Sequence, residues 1–246
     1  MVREIHSVSN LLEGLAADVG EYEGSVWFRG QCSFDWKLVP GYYRLNAAPP
    51  ETTLLKRFRQ SAAMLLSKDP SATFDWLFLM QHYGIPTRLL DWTESPLIAL
   101  YFAVSEMKPD SDGALWLLRP SELNKVAKII DGEEEFFVPS FEDAELRNYT
   151  VDALSTGPKR TKLSPLAAIA TRNNARIQAQ LGAFTIHHLD KTPLEDLGDG
   201  GHVLKYKISR GAIDALRKEL ALLGFNKFSI FPELSSIGDN IRGAIK

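Results

Sequence analysis

Residues 81–103 read QHYGIPTRLLDWTESPLIALYFA. They hold the end of one helix, a short strand and the start of a second helix. The preceding FDWLFLM run predicts a helix over residues 74–84. Gly84 is placed to take the left-handed conformation at its end, and Ile85-Pro86 stops any continuation. TRLLDWT then reads as a short strand. Ser95 and Pro96 form an N-cap and first-turn pair for a helix over residues 97–107, whose Leu97 to Val104 run is apolar on every side and must be buried. Between these anchors lie Gln81, His82, Thr87, Arg88, Asp91, Thr93 and Ser95, more hydrogen-bonding groups than a surface loop needs. If the strand feeds directly into the buried helix, Thr93, Ser95 and the free N–H groups of the first turn converge where an anion can sit. Capping explains Ser95 as well, but leaves Gln81, His82 and Arg88 unaccounted for together.

Working outward, strands are predicted at SVWFR (25–29), GALWLLR (113–119), GAFTIHH (182–188) and HVLKYKI (202–208). After LNAAPPETT (45–53), Thr52 or Thr53 can cap a helix carrying Leu54, Leu55, Phe58, Ala62, Leu65 and Leu66 and ending before Asp69-Pro70. A further helix is expected from Ser209 to Gly224. Strands and helices are interspersed without regular alternation. The expectation is one α+β domain over residues 1–246 with a mixed or mostly antiparallel sheet, residues 1–24 forming an N-terminal helical extension.

Composition narrows the function classes. Of 246 residues, 45% are hydrophobic and 24% charged, which excludes a disordered chain. No apolar run reaches the ~20 residues of a membrane helix, and the N-terminus has no secretory h-region, so a soluble cytoplasmic protein is expected. Cys32 stands alone, which excludes an internal disulfide and cysteine-rich zinc patterns. A net charge of -3 gives no global attraction to nucleic acid or anionic lipid. Locally, residues 131–145 are acidic, whereas residues 157–176 carry Lys159, Arg160, Lys162, Arg172 and Arg176 without an acid. Those five bases are the candidate nucleic-acid face, although no aromatics are interleaved for stacking. Dinucleotide-binding glycine, P-loop and H-E-x-x-H patterns are missing. The histidines lack useful ligand spacing, so no metal is expected.

Polar residues within apolar segments supply the other candidates. In WFRGQCSFDW (27–36), Arg29 closes a strand and Gly30 allows a turn or the close approach of a ligand. Arg29 wants an anion, which can be a ligand or a carboxylate such as Asp91 or Glu94. In ARIQAQLGAFTIHH (175–188), Gln178 and Gln180 would share one side of an extended segment, ready for a sugar or base edge or for loop backbone. Glu233 follows Pro232 at a helix start, where a carboxylate suits the helix dipole.

The motifs WFRGQ, QHYGIPTRLLDWTESPLIALYFA, RIQAQLGAFTI and GFNKFSIFPELSSIG resemble the FRG domain family over nearly the whole chain. The resemblance implies bacterial or phage-related proteins, some in toxin or antiphage defence settings. Glu233 stands where that family more often has Asp. A remoter similarity links the aromatic-Arg-Gly strand, the Thr/Ser strand and the Ala99-x-x-Phe102-Ala103 helix to mono-ADP-ribosyltransferases. It implies that Arg29 holds a phosphate of NAD, that Gly30 offers backbone to the nicotinamide amide, and that Thr93 and Ser95 support the Arg29 strand and the nicotinamide ribose. Gln31, His82, Arg88 and Gln178 are then further nucleotide contacts. Gln180 falls where that superfamily has a glutamate, and a glutamine carries no charge, so Asp91, Glu94 or Glu233 would replace it. The expected function is NAD-dependent ADP-ribosyl transfer or NAD hydrolysis, with a non-catalytic binding module and a nucleic-acid enzyme as the alternatives.

Overall fold

A computed structural model describes residues 2–66, 70, 72–107, 111–156, 162–172 and 174–245. In chain order its elements are β1 (Arg3–Ile5), α1 (Val8–Val19), β2 (Trp27–Gln31), α2 (Glu51–Ala62), α3 (Thr73–His82), β3 (Leu89–Thr93) and α4 (Pro96–Ser105). There follow β4 (Gly113–Leu118), α5 (Pro120–Val126), α6 (Val151–Thr156), β5 (Leu166–Ala168), α7 (Ala175–Ala179) and β6 (Gly182–Ile186). The chain ends with β7 (Val203–Ile208), α8 (Ile213–Leu222), α9 (Lys227–Ile230) and α10 (Leu234–Ala244). The described strands form one mixed sheet in the order β1-β7-β4-β2-β3-β6-β5. Only the β1–β7 pair is parallel. This is the α+β architecture expected.

The buried helix forms as its local chemistry dictates. Ser95 accepts a hydrogen bond from the Ile98 N–H at 3.4 Å, and Pro96 occupies the first turn. At the other end Arg217 of α8 donates to the Val104 carbonyl through Nε (2.9 Å) and Nη2 (2.6 Å), satisfying an acceptor that the helix cannot. α4 lies against β2 on one side and α8 on the other. This explains an apolar surface all the way round. Gly30 makes the strand contact possible: a Cβ there would collide with the Ala99 carbonyl and stand 2.6 Å from the Ala103 N. Helix packing therefore accounts for Gly30, which the sequence reading assigned to a turn or a ligand.

Phe28 pairs with Thr93, so side-chain alternation puts Phe28, Thr93, Asp91 and Leu89 on one face. Over the β2 half of that face, α1, α4 and α8 bury Phe28, Leu115, Leu117, Tyr206 and Ile208. Over the β3 half, α2 and α3 bury Leu89, Phe184 and Ile186. The opposite face carries Trp27, Leu90, Trp92, Trp116 and Ala183, covered by Leu38, Leu123 and Leu194.

Several boundaries differ from expectation. Residues 1–24 supply β1 as well as a helix, and Ile5, Val8, Leu11 and Leu15 enter the main core rather than an appendage. α2 begins at Glu51 after Pro50, so Thr52 and Thr53 lie inside its first turn and cap nothing; Asp69 lies outside the described residues. A short 3₁₀ turn, Arg210–Ala212, precedes α8. The segment around Gln178 is not extended. Asn174 accepts from the Arg176 N–H at 2.8 Å and nucleates α7, so Gln178 sits on a helix turn and the strand starts only at Gly182.

Candidate functional site: a cleft at a seam in the sheet

β2 pairs with β4 through five residues, and β3 pairs with β6 through five, but between β2 and β3 the ladder has the single register pair Phe28–Thr93. Beyond it the two strands diverge. The sheet is thus two half-sheets joined at a seam, and a cleft of about 580 Å³ opens where they part. Arg29, Asp91, Thr93 and Gly182 line it from the strands, with Gln81 and His82 at the end of α3 and Phe102 and Glu106 at the end of α4. Arg176, Gln180, Lys227 and Phe231 close the side contributed by α7 and α9, while Trp36 stands on a loop and Arg44 ends a 3₁₀ turn, Gly41–Arg44.

Arg29 bridges the seam. Its Nη1 donates to the Asp91 backbone carbonyl at 2.6 Å, replacing a ladder bond that the diverging strands do not make. The Asp91 carboxylate is farther away, 4.0 Å from Nη1, and is more than half exposed at 56%. Nε is enclosed without a partner. Nη2 has no hydrogen-bond partner among the described residues, and the side chain as a whole is 19% exposed. Burial lowers the pKa of Arg29 from its ordinary value, Asp91 opposing this and Arg44 adding to it. The guanidinium remains charged at neutral pH. A charged group with one edge unused and a second cation nearby presents an anion site.

A second group of charges lies at the α3 end. Arg176 donates to the His82 carbonyl at 3.3 Å, and its guanidinium lies 4.8 Å from the centroid of Phe231, whose ring also meets Phe102 edge-on. His82 Nε2 stands 3.6 Å from Glu233 Oε1. Burial, and then Arg176, lower the His82 pKa against the opposing pull of Glu233, so the ring is neutral at pH 7. Gln180 donates through Nε2 to the Ile230 carbonyl at 3.2 Å, tying the C-terminal segment to the cleft wall.

The cleft therefore brings together Arg29, Asp91, Thr93, Gln180 and His82, with the Glu233 carboxylate beside His82 at its edge. Thr93 serves the fold there, donating to the Gln180 carbonyl at 2.7 Å and accepting from the Ser95 N–H at 3.1 Å. Ser95 is engaged as the helix cap. Gln31 accepts from the Trp116 indole N–H at 2.8 Å and is buried at the cleft wall. Gln178 is exposed and outside the cleft lining.

Arg88 is elsewhere. It is buried, with Nε donating to Glu51 at 2.7 Å, Nη1 to the His187 carbonyl at 2.6 Å and Nη2 to the Tyr149 carbonyl at 2.7 Å. Its guanidinium is spent on the fold. Glu94, one candidate substitute carboxylate, pairs with Arg172 at 2.6 Å. Of the candidate nucleic-acid face, Lys159 and Arg160 lie outside the described residues, Lys162 is exposed, Arg172 is paired, and Arg176 belongs to the cleft. Trp36, Arg44 and Glu106 are cleft residues that the sequence reading did not select. Trp36 closes the very segment WFRGQCSFDW that drew attention to Arg29; Arg44 and Glu106 carry no local signal.

Among the described residues no group of three or more His, Cys, Asp or Glu side chains is placed to hold a metal ion. No described helix is long and apolar enough to cross a membrane. No curated protein and no solved structure matches the chain, so the remoter resemblance to mono-ADP-ribosyltransferases finds no support in these comparisons. The FRG domain family model matches residues 24–112, a shorter span than the nearly chain-long resemblance. It takes in Trp36, Arg44, His82 and Arg88, and omits Gln178, Gln180 and Glu233. The stretch that builds β2, β3 and α4, and with them the seam, is the part of the chain that the FRG domain family model matches.

Proposed function

We propose that the seam cleft binds NAD and that the domain cleaves its nicotinamide–ribose bond, transferring ADP-ribose to an acceptor or to water. The observation that carries this reading is Arg29, an arginine that lines a cleft walled by aromatic rings and whose Nη2 has no hydrogen-bond partner among the described residues. The diphosphate belongs on Arg29 and Arg44. Asp91 is the carboxylate of the cleft assigned to the reacting ribose, since it is more than half exposed and makes only a long 4.0 Å contact with Arg29 Nη1. In the hydrolytic case the C1′–N bond breaks, its electron pair leaves with nicotinamide, and positive charge develops at C1′. Asp91 stabilises that charge, water adds at C1′, and one proton is released. The setting of bacterial toxin or antiphage effector, and a cytoplasmic location, rest on the resemblance and on the choice of substrate.

Calorimetric titration with NAD and chromatographic assay of released nicotinamide test the proposal. Arg29→Ala removes a charge-assisted contact of ~1.5–3 kcal/mol and should weaken NAD binding by roughly 10- to 150-fold. Asp91→Asn should bind NAD with little change and lose nicotinamide release. Wild-type affinity in Arg29→Ala would overturn the assignment. A second reading, a non-catalytic nucleotide-binding module, is favoured by Gln180, whose amide is committed to the Ile230 carbonyl where a charged group would be wanted. It expects NAD binding without nicotinamide release in the wild type.

A further inference from the structure

Of the five tryptophans, four are sealed: Trp27, Trp92, Trp116 and Trp76 are 2%, 3%, 4% and 8% exposed. Trp36 is 50% exposed and lines the cleft. Its indole N–H has no hydrogen-bond partner among the described residues, whereas Trp92 donates to Thr185 and Trp116 to Gln31. A lone exposed aromatic is ordinary on a protein surface, so exposure by itself decides nothing. Here the loop that holds it is fixed on both flanks. On one side the Phe34 N–H donates to the Asp112 carbonyl at 2.7 Å. On the other, Lys37 pairs with Asp196 at 2.9 Å, and the Leu38 N–H donates to Glu195 at 3.1 Å while its side chain is fully buried. The backbone on either side is anchored and the ring between is left open, on the rim of a cation-bearing cleft. A rigid indole with a bare π-face there is a stacking surface prepared before the ligand arrives.

The geometry points to Trp36 as the platform on which a planar ring of the bound nucleotide stacks, which makes it a determinant of ligand choice; the inference rests on the nucleotide reading of the cleft. A bare diphosphate would satisfy Arg29 and Arg44 but leave Trp36 idle, so the platform selects nucleotides over phosphates. NAD offers two rings, adenine and nicotinamide, and both have the π-face that stacking needs.

Titration of wild type, Trp36→Ala, Trp36→Phe and Arg29→Ala with NAD, ADP-ribose, nicotinamide mononucleotide and inorganic pyrophosphate tests this. Trp36→Ala should raise the NAD Kd by roughly 5- to 150-fold, the loss expected of one stacked base. Trp36→Phe should lose much less, and pyrophosphate affinity should not change in either variant. A parallel loss for ADP-ribose assigns adenine to the indole, and one for nicotinamide mononucleotide assigns the other ring. In the wild type, nucleotide should quench the red-edge tryptophan emission, and that signal should vanish in Trp36→Phe. Because Trp36 is half exposed, the variants should melt as the wild type does. If Arg29→Ala loses NAD while Trp36→Ala keeps wild-type affinity, the stacking role is wrong and the nucleotide cleft stands. If the wild type binds none of the nucleotides, both fall.

Discussion

Replacing Arg88 by methionine separates a folding role from a ligand role for the more conspicuous arginine of the QHYGIPTRLLDWT segment. Its side chain is 2% exposed and that of Glu51 is 6% exposed. Removing the guanidinium strands the Glu51 carboxylate and the carbonyls of His187 and Tyr149, each of which now accepts at 2.6–2.7 Å. Breaking a buried pair in this way costs ~3–5 kcal/mol, because the surviving charge stays in the interior. For a chain of this size that is a fall in Tm on the order of 10 °C. The double variant Glu51→Leu with Arg88→Met removes both charges and should recover at least half of the loss, leaving the two carbonyls and the residue 88 N–H, which donates to Glu51 at 3.3 Å, as the residual cost. Urea unfolding measures the three stabilities, and calorimetry well below the melting point measures NAD affinity, expected within about 3-fold of wild type for Arg88→Met. If Arg88→Met keeps the wild-type Tm, or remains folded and loses NAD, the buried-pair account is refuted and Arg88 belongs to the ligand.

Two further outcomes follow from the packing. Gly30→Ala should destabilise by about 2–3 kcal/mol in denaturant titration, since the new methyl meets the backbone of Ala99 and Ala103 and not a movable side chain; a neutral result would return Gly30 to the role of ligand contact. Acid should weaken the fold through His187, which is fully buried, with burial first among the causes that push its pKa from 6.5 down to about 4. Because the folded state resists protonation, the unfolded state binds more protons between those two values, and stability is lost as pH falls from 6.5 towards 4. That amounts to about 3 kcal/mol, measured as the pH-dependent part of the unfolding free energy that His187→Gln removes. Equal pH profiles for the two proteins would show that His187 is not the cause.

What the sequence disclosed and what it withheld divide along the range of the interactions. Ser95-Pro96 and the α4 run could be read because cap, proline and helix are neighbours in the chain, and Gly84 with its φ of 77° could be read for the same reason. Alternating glutamines at 178 and 180 misled because a closer signal, the Asn174 cap, takes the same residues into α7, with Leu181 at φ 46° turning the chain into β6. Three residues of β1 are too short to announce a strand. The two arginines mark the sharper limit. Arg29 stands in the middle of β2 beside Gly30 and Arg88 immediately before β3 two residues after Pro86, and neither setting tells which guanidinium the fold will consume. Arg88 finds Glu51, 37 residues away, whereas Arg29 finds a backbone carbonyl across the seam and keeps an edge free. Which arginine is consumed depends on strand order and helix placement, which no short window contains.

The seam itself explains why the site holds unused polar groups at all. A fully laddered sheet would spend the facing edges of β2 and β3 on each other and leave a ligand only side chains. Here each strand satisfies its other edge completely, β2 with β4 and β3 with β6, so the half-sheets are stable without a continuous ladder between them. On the opposite face, Trp27, Trp92, Trp116 and Ala183 form one apolar cluster that spans both halves and holds them together where hydrogen bonds do not. Gly30, by letting α4 settle onto β2, keeps the helix over the first half-sheet while α3 covers the second, and the gap between those two helices lies above Asp91 and Thr93. The polar opening and the apolar clamp are therefore two parts of one arrangement: the tryptophan cluster and the Arg29 bond to the Asp91 carbonyl join the halves, so the strand edges between them need no continuous ladder and leave room for a ligand.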